Sequence, residues 1–265
     1  MPLIGSPIYL STLLLERNRA NGKGPSLLVS DWMEPISEAG FGGLEIWMNH
    51  LFFSSRSEWD LIRDLSQEAD LAIPILSSVL PADGSDKSVR LREALLEACD
   101  FFRPECLKLT PGRGDGALDF LRGWVKDVPR EISILADCPE GDAGVDGLER
   151  LREALPGDRF RAVVHPFLLS VKEFEAVLAS AGSFIGNLGV QAKQGGKWAR
   201  LADIREVSAT VIAAAGRRGF KGTWSLEYTK GAGQAGEDID TMFDNSEEDL
   251  NFLTEILARS TADKG

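Results

Sequence analysis

Cysteine and histidine are scarce in this chain of 265 residues, which holds three of the first and two of the second. Cys99, Cys106 and Cys138 are odd in number and show no CxxC spacing, which argues against a disulfide framework and against a structural zinc site. Each reads as a small buried apolar residue. Long apolar runs are missing too: LAIPIL at 71–76 falls far short of the roughly 18 residues that would suggest a membrane span. The start, MPLIGSPIYL, lacks a basic leader followed by an apolar stretch and a small-residue cleavage site, so the expected location is cytoplasmic. Lys and Arg form no dense cluster, and the formal net charge is −12. Gripping a phosphate backbone takes a basic face that displaces counterions, so nucleic acid is not an expected partner. GxSxG and a Cys/His pair are also absent, which leaves serine and thiol mechanisms without support.

What is present is a serial alternation. Short β-rich runs occur at GLEIW 43–47, AIPIL 72–76, CLKL 106–109, ISILA 132–136, AVV 162–164, FIGNLGV 184–190 and GTWSL 222–226, with PIYL 7–10 as a weaker first strand. From GLEIW onward their starts lie 29, 34, 26, 30, 22 and 38 residues apart, the repeat expected for a strand, a helix and two loops. With 43% apolar residues the chain can bury a large core, and α/β barrels of about 250 residues commonly form one domain. The expected fold is therefore α/β, a single-domain (β/α)8 TIM barrel over 1–265, with 259–265 as a disordered tail. An open doubly wound sheet is the competing architecture, and it fits seven or eight serial β/α units less well.

The helical stretches carry punctuation. Ser170 with Glu173 reads as a capping box ahead of Phe174, Val177 and Leu178, and Asp203 with Glu206 reads as a second one. Ile204, Val207, Val211, Ile212 and Ala215 then form an apolar stripe ending at Gly216 and Gly219. The polar stretch at 231–249 is expected to be a loop over the barrel mouth, followed by a closing helix through Leu250, Leu253 and Leu257.

Side chains at the C-terminal ends of barrel strands converge on the mouth. Those positions hold Glu45 and Trp47 on the second strand, Lys108 on the fourth, Asp137 after the fifth, His165 after the sixth, Gln191 after the seventh and Glu227 after the eighth. Bland readings exist beside the functional ones. Asp137 can cap the loop that follows it, His165 can bond a buried backbone group, and Gln191 can be a satisfied polar residue beneath KQGG. Trp47 can pack in the core, and His50 can lie on a surface loop.

Several phrases resemble the xylose-isomerase-like family of sugar isomerases and epimerases: GFGGLEIW at 40–47, ILADCPEGD at 134–142 and RRGFKGTWSLEY at 217–228. The fold is also similar to that of the type IV apurinic endonucleases, but that branch resembles a three-metal, histidine-rich site, for which the histidines here are too few. In the epimerase branch a divalent ion is held by Glu, Asp, His and Glu from strands five to eight. The resemblance carries these roles to Asp137, His165, Gln191 and Glu227, of which only Glu227 keeps the family's residue. Carboxylate, amide and imidazole groups can all ligate, and with a neutral His the quartet's charge would balance one divalent ion, whether Mn²⁺, Mg²⁺, Co²⁺, Fe²⁺ or Zn²⁺.

By the same resemblance, Asp137 and Glu227 are the expected acid/base pair. The substrate is expected to be a small carbohydrate, and the reaction a metal-assisted proton transfer beside a carbonyl. A lyase or dehydratase acting by β-elimination is the alternative, and a non-catalytic or partner-dependent barrel that has lost the metal is a further one. Lys108, Lys193 and Lys197 would supply positive charge to an enolate or to a substrate's anionic group. Glu45, Trp47 and His50 form a second polar and aromatic group for the sugar. Relatives of this kind often associate, so a homo-oligomer is compatible with the chain.

Overall fold

The computed structural model describes residues 6–18, 24–112, 116–137, 144–234 and 236–262. Eight parallel strands close a barrel: β1 (Ile8–Ser11), β2 (Gly43–Trp47), β3 (Ile75–Leu80), β4 (Cys106–Pro111), β5 (Ser133–Asp137), β6 (Phe160–Val164), β7 (Ile185–Gln191) and β10 (Thr223–Tyr228). β8 (Lys193–Gln194) and β9 (Lys197–Trp198) form a small antiparallel hairpin after β7. The helices are α1 (Thr12–Leu15), α2 (Met33–Glu38), α3 (Met48–Phe52), α4 (Arg56–Glu68), α5 (Asp86–Phe102), α6 (Ala117–Trp124), α7 (Val145–Ala154), α8 (Val171–Ala181), α9 (Arg205–Arg217) and α10 (Ile239–Ala262). The expected (β/α)8 barrel is therefore the fold. No helix among the described residues is long and apolar enough to cross a membrane.

The alternation of side chains along each strand builds two cores of very different size. Leu44 and Ile46 of β2, Leu107 and Leu109 of β4, Ile134 and Ala136 of β5 and Leu188 and Val190 of β7 face outward into one large apolar layer shared with the helices. Fully burying a Leu or Ile side chain there stabilises the fold by roughly 1.5–3 kcal/mol. The inward set is different. Among the described residues, Tyr9, Ile75, Leu135 and Val163 form a small apolar plug inside the barrel. On the neighbouring strands β2, β4 and β10 the interior is polar, with Glu45, Lys108 and Glu227 all buried.

Local signals place most helices. Ser55 and Ser85 accept bonds from the Glu58 and Ser88 amides at the starts of α4 and α5, and the Ser170–Glu173 capping box forms as expected. Several expectations need correction. The third strand lies later than AIPIL 72–76, at Ile75–Leu80, because Pro74 cannot donate to a ladder and stands ahead of the paired residues. The second capping box does not form between Asp203 and Glu206. Asp203 instead binds the Arg200 guanidinium and backbone amide, and Val207 of the expected stripe is 48% exposed.

The expected mouth loop at 231–249 is helical from Ile239 onward. Asp238 takes the Thr241 amide and hydroxyl, and Met242 and Phe243 are buried. This helix is pinned by Asp249, which accepts bonds from the Leu201 amide (2.6 Å) and the Thr229 hydroxyl (2.7 Å) and whose carboxyl burial pushes up to about 7. α10 also runs through Ala262, so the segment expected as a tail begins inside a helix, and 263–265 lie outside the described residues. Cys99 is buried and Cys106 half-buried; Cys138 lies outside the described residues.

Candidate active site

Four groups meet at the C-terminal end of the barrel because β2, β4, β5 and β10 deliver them at one level. Glu45 takes a 3.0 Å bond from the hydroxyl of Ser11, its register partner at the end of β1. The Lys108 ammonium reaches across the interior, 3.2 Å from Glu45 Oε2, and also forms an ion pair with Glu227 Oε1. Lys108 and Glu227 are 5% and 2% exposed, so water screens this pair little. Glu227 sits where the β10–β7 register shifts between Leu226 and Tyr228, a bulge of the sort that re-aims a side chain.

A second chain of contacts joins the first. His165, which follows β6, places Nε2 2.9 Å from Asp137 Oδ1 and Nδ1 3.4 Å from Glu227 Oε2. The Thr110 hydroxyl donates to the other Asp137 oxygen at 3.0 Å, and the Gln191 amide donates to Glu227 Oε2. The closeness depends on Gly189 of β7. A Cβ there would lie 2.4 Å from His165 Nδ1 and 2.9 Å from Glu227 Oε1.

These contacts set the charges. Burial alone would discharge His165, but Asp137 and Glu227 more than reverse this and raise its pKa above the ordinary histidine value. Burial would likewise raise Asp137; the His165 ring, Lys108 and the Thr110 hydroxyl lower it instead. For Lys108, burial is outweighed by Glu227, Glu45 and Asp137, so the ammonium is held more firmly than in water. The site thus favours the charged forms of Asp137, Lys108 and His165.

The expected divalent ion is not accommodated by this arrangement. Among the described residues no group of three or more His, Cys, Asp or Glu side chains is placed to hold a metal ion. Of the expected ligands, Glu227 has one oxygen on Lys108 and the other facing Gln191 and His165, and both His165 nitrogens face carboxylates. Gln191 turns its NH2 rather than its carbonyl to the cluster.

The sequence-derived residues thus divide. Asp137, His165, Gln191, Glu227, Glu45 and Lys108 come together. Lys193 and Lys197 stand on the exposed hairpin, whose Gly195–Gly196 turn has φ of +58° and +79°, and Lys193 lies 4.3 Å over the Trp198 ring. Trp198 stacks on Tyr228 at 4.3 Å, while Trp224 is buried against the outer core. Trp47 is half-buried and meets His50 edge-on at 5.8 Å. His50 is buried, not on a surface loop, beside Glu16, with 3.8 Å between Nδ1 and the carboxylate. Sequence reasoning missed Ser11, Thr110 and Gly189. The two hydroxyls close strand phrases, and a glycine inside a strand signals close approach, so the signals were present but faint.

No family model matches the chain, and no curated protein matches it in sequence. Solved structures do match in shape. A D-psicose 3-epimerase from Clostridium cellulolyticum H10, solved with D-tagatose, superposes with a TM-score of 0.69 at 12% identity, covering 95% of this chain and 99% of that one. A xylose isomerase domain protein from Alicyclobacillus acidocaldarius gives 0.68 at 14% identity, with 96% and 99% covered. A probable 3-DHS dehydratase from Bacillus anthracis gives 0.63 at 12% identity, with 92% and 98% covered. The chain has the xylose-isomerase-like TIM-barrel fold.

Proposed function

We propose that the barrel mouth moves a proton at a carbon beside a carbonyl of a sugar or sugar derivative, as an isomerase or epimerase does. The observation that carries this reading is the run Asp137–His165–Glu227, with His165 and Glu227 buried and Asp137 half-buried, in which the imidazole lies 2.9 Å from one carboxylate and 3.4 Å from another. A deprotonated acceptor and a protonated donor side by side are what reversible proton transfer needs.

In this scheme Asp137 or Glu227 takes the proton from carbon, the C–H electron pair forms the new C=C bond, and the carbonyl oxygen becomes an enolate oxygen. Positive charge from His165 and Lys108 stabilises that oxygen in a site that excludes water. Return of the proton to the opposite face epimerises. Return to the former carbonyl carbon, with a hydroxyl proton passing to the other oxygen, isomerises. Where a hydroxyl lies β to the carbanion, its departure as water gives elimination instead, and the likeness to the dehydratase barrel favours keeping this second reading.

Incubation in deuterated water with a panel of ketoses, keto-acids and 3-keto-glycosides tests the scheme. Solvent deuterium in recovered or epimerised sugar is the expected result, and a new unsaturated product would shift the assignment to a lyase. Glu227→Gln should slow exchange by about 10²–10⁴-fold with the fold retained, as loss of a positioned base does. Full activity in that variant, or no exchange by the wild-type protein with any compound, would sink the reading and leave a barrel that binds without catalysis.

A further inference from the structure

We propose that Lys108 is the resident cation of the mouth: its ammonium fills the position a divalent ion would take, and the site works without one. This rests on the proton-transfer reading and specifies how the developing oxyanion is met.

A divalent ion and the Lys108 ammonium would compete for the same oxygens. Lys108 rises from the middle of β4, where its backbone pairs with Ser77 and Leu135 on the neighbouring strands, so the side chain cannot swing out without leaving the barrel interior. It is 5% exposed and contacts Glu45 and Glu227 from two other strands. Glu227 is the one position that keeps the ligand type of the metal-dependent barrels this chain resembles. Its carboxylate is spent on an ammonium, an amide and an imidazole ring. A metal ion reaches a carboxylate oxygen at about 2.0–2.2 Å. A second cation that close to Glu227 Oε1 would have to displace the ammonium from that oxygen and bring two cations side by side in a buried interior. The changed ligand types agree. Where an ammonium already balances Glu227, a Gln amide that donates to it and a His that hydrogen-bonds Asp137, with its other nitrogen 3.4 Å from Glu227, complete a charge-paired cluster rather than a coordination sphere.

The test is a titration of chelator-treated protein with Co²⁺ and Mn²⁺, read by calorimetry, by visible absorption of Co²⁺ and by thermal unfolding, alongside the same titration of Lys108→Gln. The wild-type protein should take up no ion at the mouth and keep its unfolding temperature. K108Q, with Glu45 and Glu227 released, should gain a Co²⁺ absorption band and unfold at a higher temperature in the ion's presence. In the exchange assay the wild-type protein should be indifferent to chelation, and K108Q should be slower by about 10²–10³-fold, as expected for loss of one oxyanion-stabilising donor. A full equivalent of Co²⁺ or Mn²⁺ bound by the wild-type protein overturns the proposal, as does a K108Q variant that binds no more than wild type. If K108Q does not fold, the wild-type titration decides alone. Exchange that is lost on chelation and restored by a divalent ion overturns the role of Lys108 and leaves proton transfer standing. Absence of exchange in both states removes the proton-transfer reading, and the titration still decides whether Lys108 occupies the cation's place.

Discussion

His165 and His50 each follow the end of a barrel strand and are almost wholly buried, at 7% and 3% exposure, yet the chain holds them in opposite states. His165 has a carboxylate facing each ring nitrogen and is held protonated. Among the described residues, His50 has one carboxylate nearby, Glu16, whose oxygens are engaged by the backbone amides of Asn18 and Ser26. Neither His50 nitrogen has a well-formed hydrogen bond, and burial pushes its pKa down to about 4 against the weaker pulls of Glu16 and the Thr12 backbone. Burial is common to both rings. What separates them is whether a nearby carboxylate is free to answer the charge. One histidine is thereby fitted to donate a proton, and the other is neutral packing against Trp47.

Breaking the first half of this comparison should give the largest effect. Asp137→Asn removes the closer carboxylate from His165 while keeping size and the bond from Thr110. Proton transfer should fall by about 10²–10⁴-fold, and the His165 pKa should drop toward that of an ordinary buried imidazole. Deuterium exchange and histidine chemical shifts measure the two consequences together. Unchanged exchange with a lowered pKa would separate the charge on His165 from the chemistry.

The second half predicts a smaller effect, on stability. His50 has a folded pKa of about 4, below the 6.5 of an unperturbed histidine, so the unfolded chain binds the proton first. Its contribution is therefore fully present above the unfolded value and is lost as pH falls toward the folded one. The gap corresponds to about 3 kcal/mol at the acid end. His50→Leu should flatten that limb in chemical denaturation run between these two pH values. An acid limb as steep as that of the wild-type protein would show that another group causes it.

Much of the architecture was legible because outward-facing strand residues such as Leu44, Ile46, Leu107 and Leu109 belong to one continuous apolar layer and announce themselves as β-rich runs. The hairpin at Lys193–Trp198 was not, since arms of two residues carry no periodicity. The start of α10 was hidden because its cap, Asp238, and its buried Met242 and Phe243 lie within a run of acidic and small residues that reads as loop. At the site, the strand-end rule brought out Asp137, His165, Gln191, Glu227, Glu45 and Lys108. Which of them would pair could not be read. Lys108 stands 63 residues from Glu45 and 119 from Glu227, and only barrel closure sets them at one level. The resemblance to metal-dependent barrels supplied an ion for the carboxylates, and the lysine that answers them lay among the substrate-binding candidates. His50 was singled out for its polarity, but the tertiary packing that buries it has no local signature.

A pH titration of the histidine ring nitrogens by nuclear magnetic resonance tests this charge assignment most directly, because the chain has only two histidines and their signals are simple to assign by substitution. The expected spectrum at neutral pH contains one imidazolium, His165, that stays protonated above the usual histidine range, and one neutral ring, His50, that takes up a proton only near pH 4. Two rings that titrate together near the ordinary value of about 6.5 would contradict it, and with it the buried acid/base site at the barrel mouth.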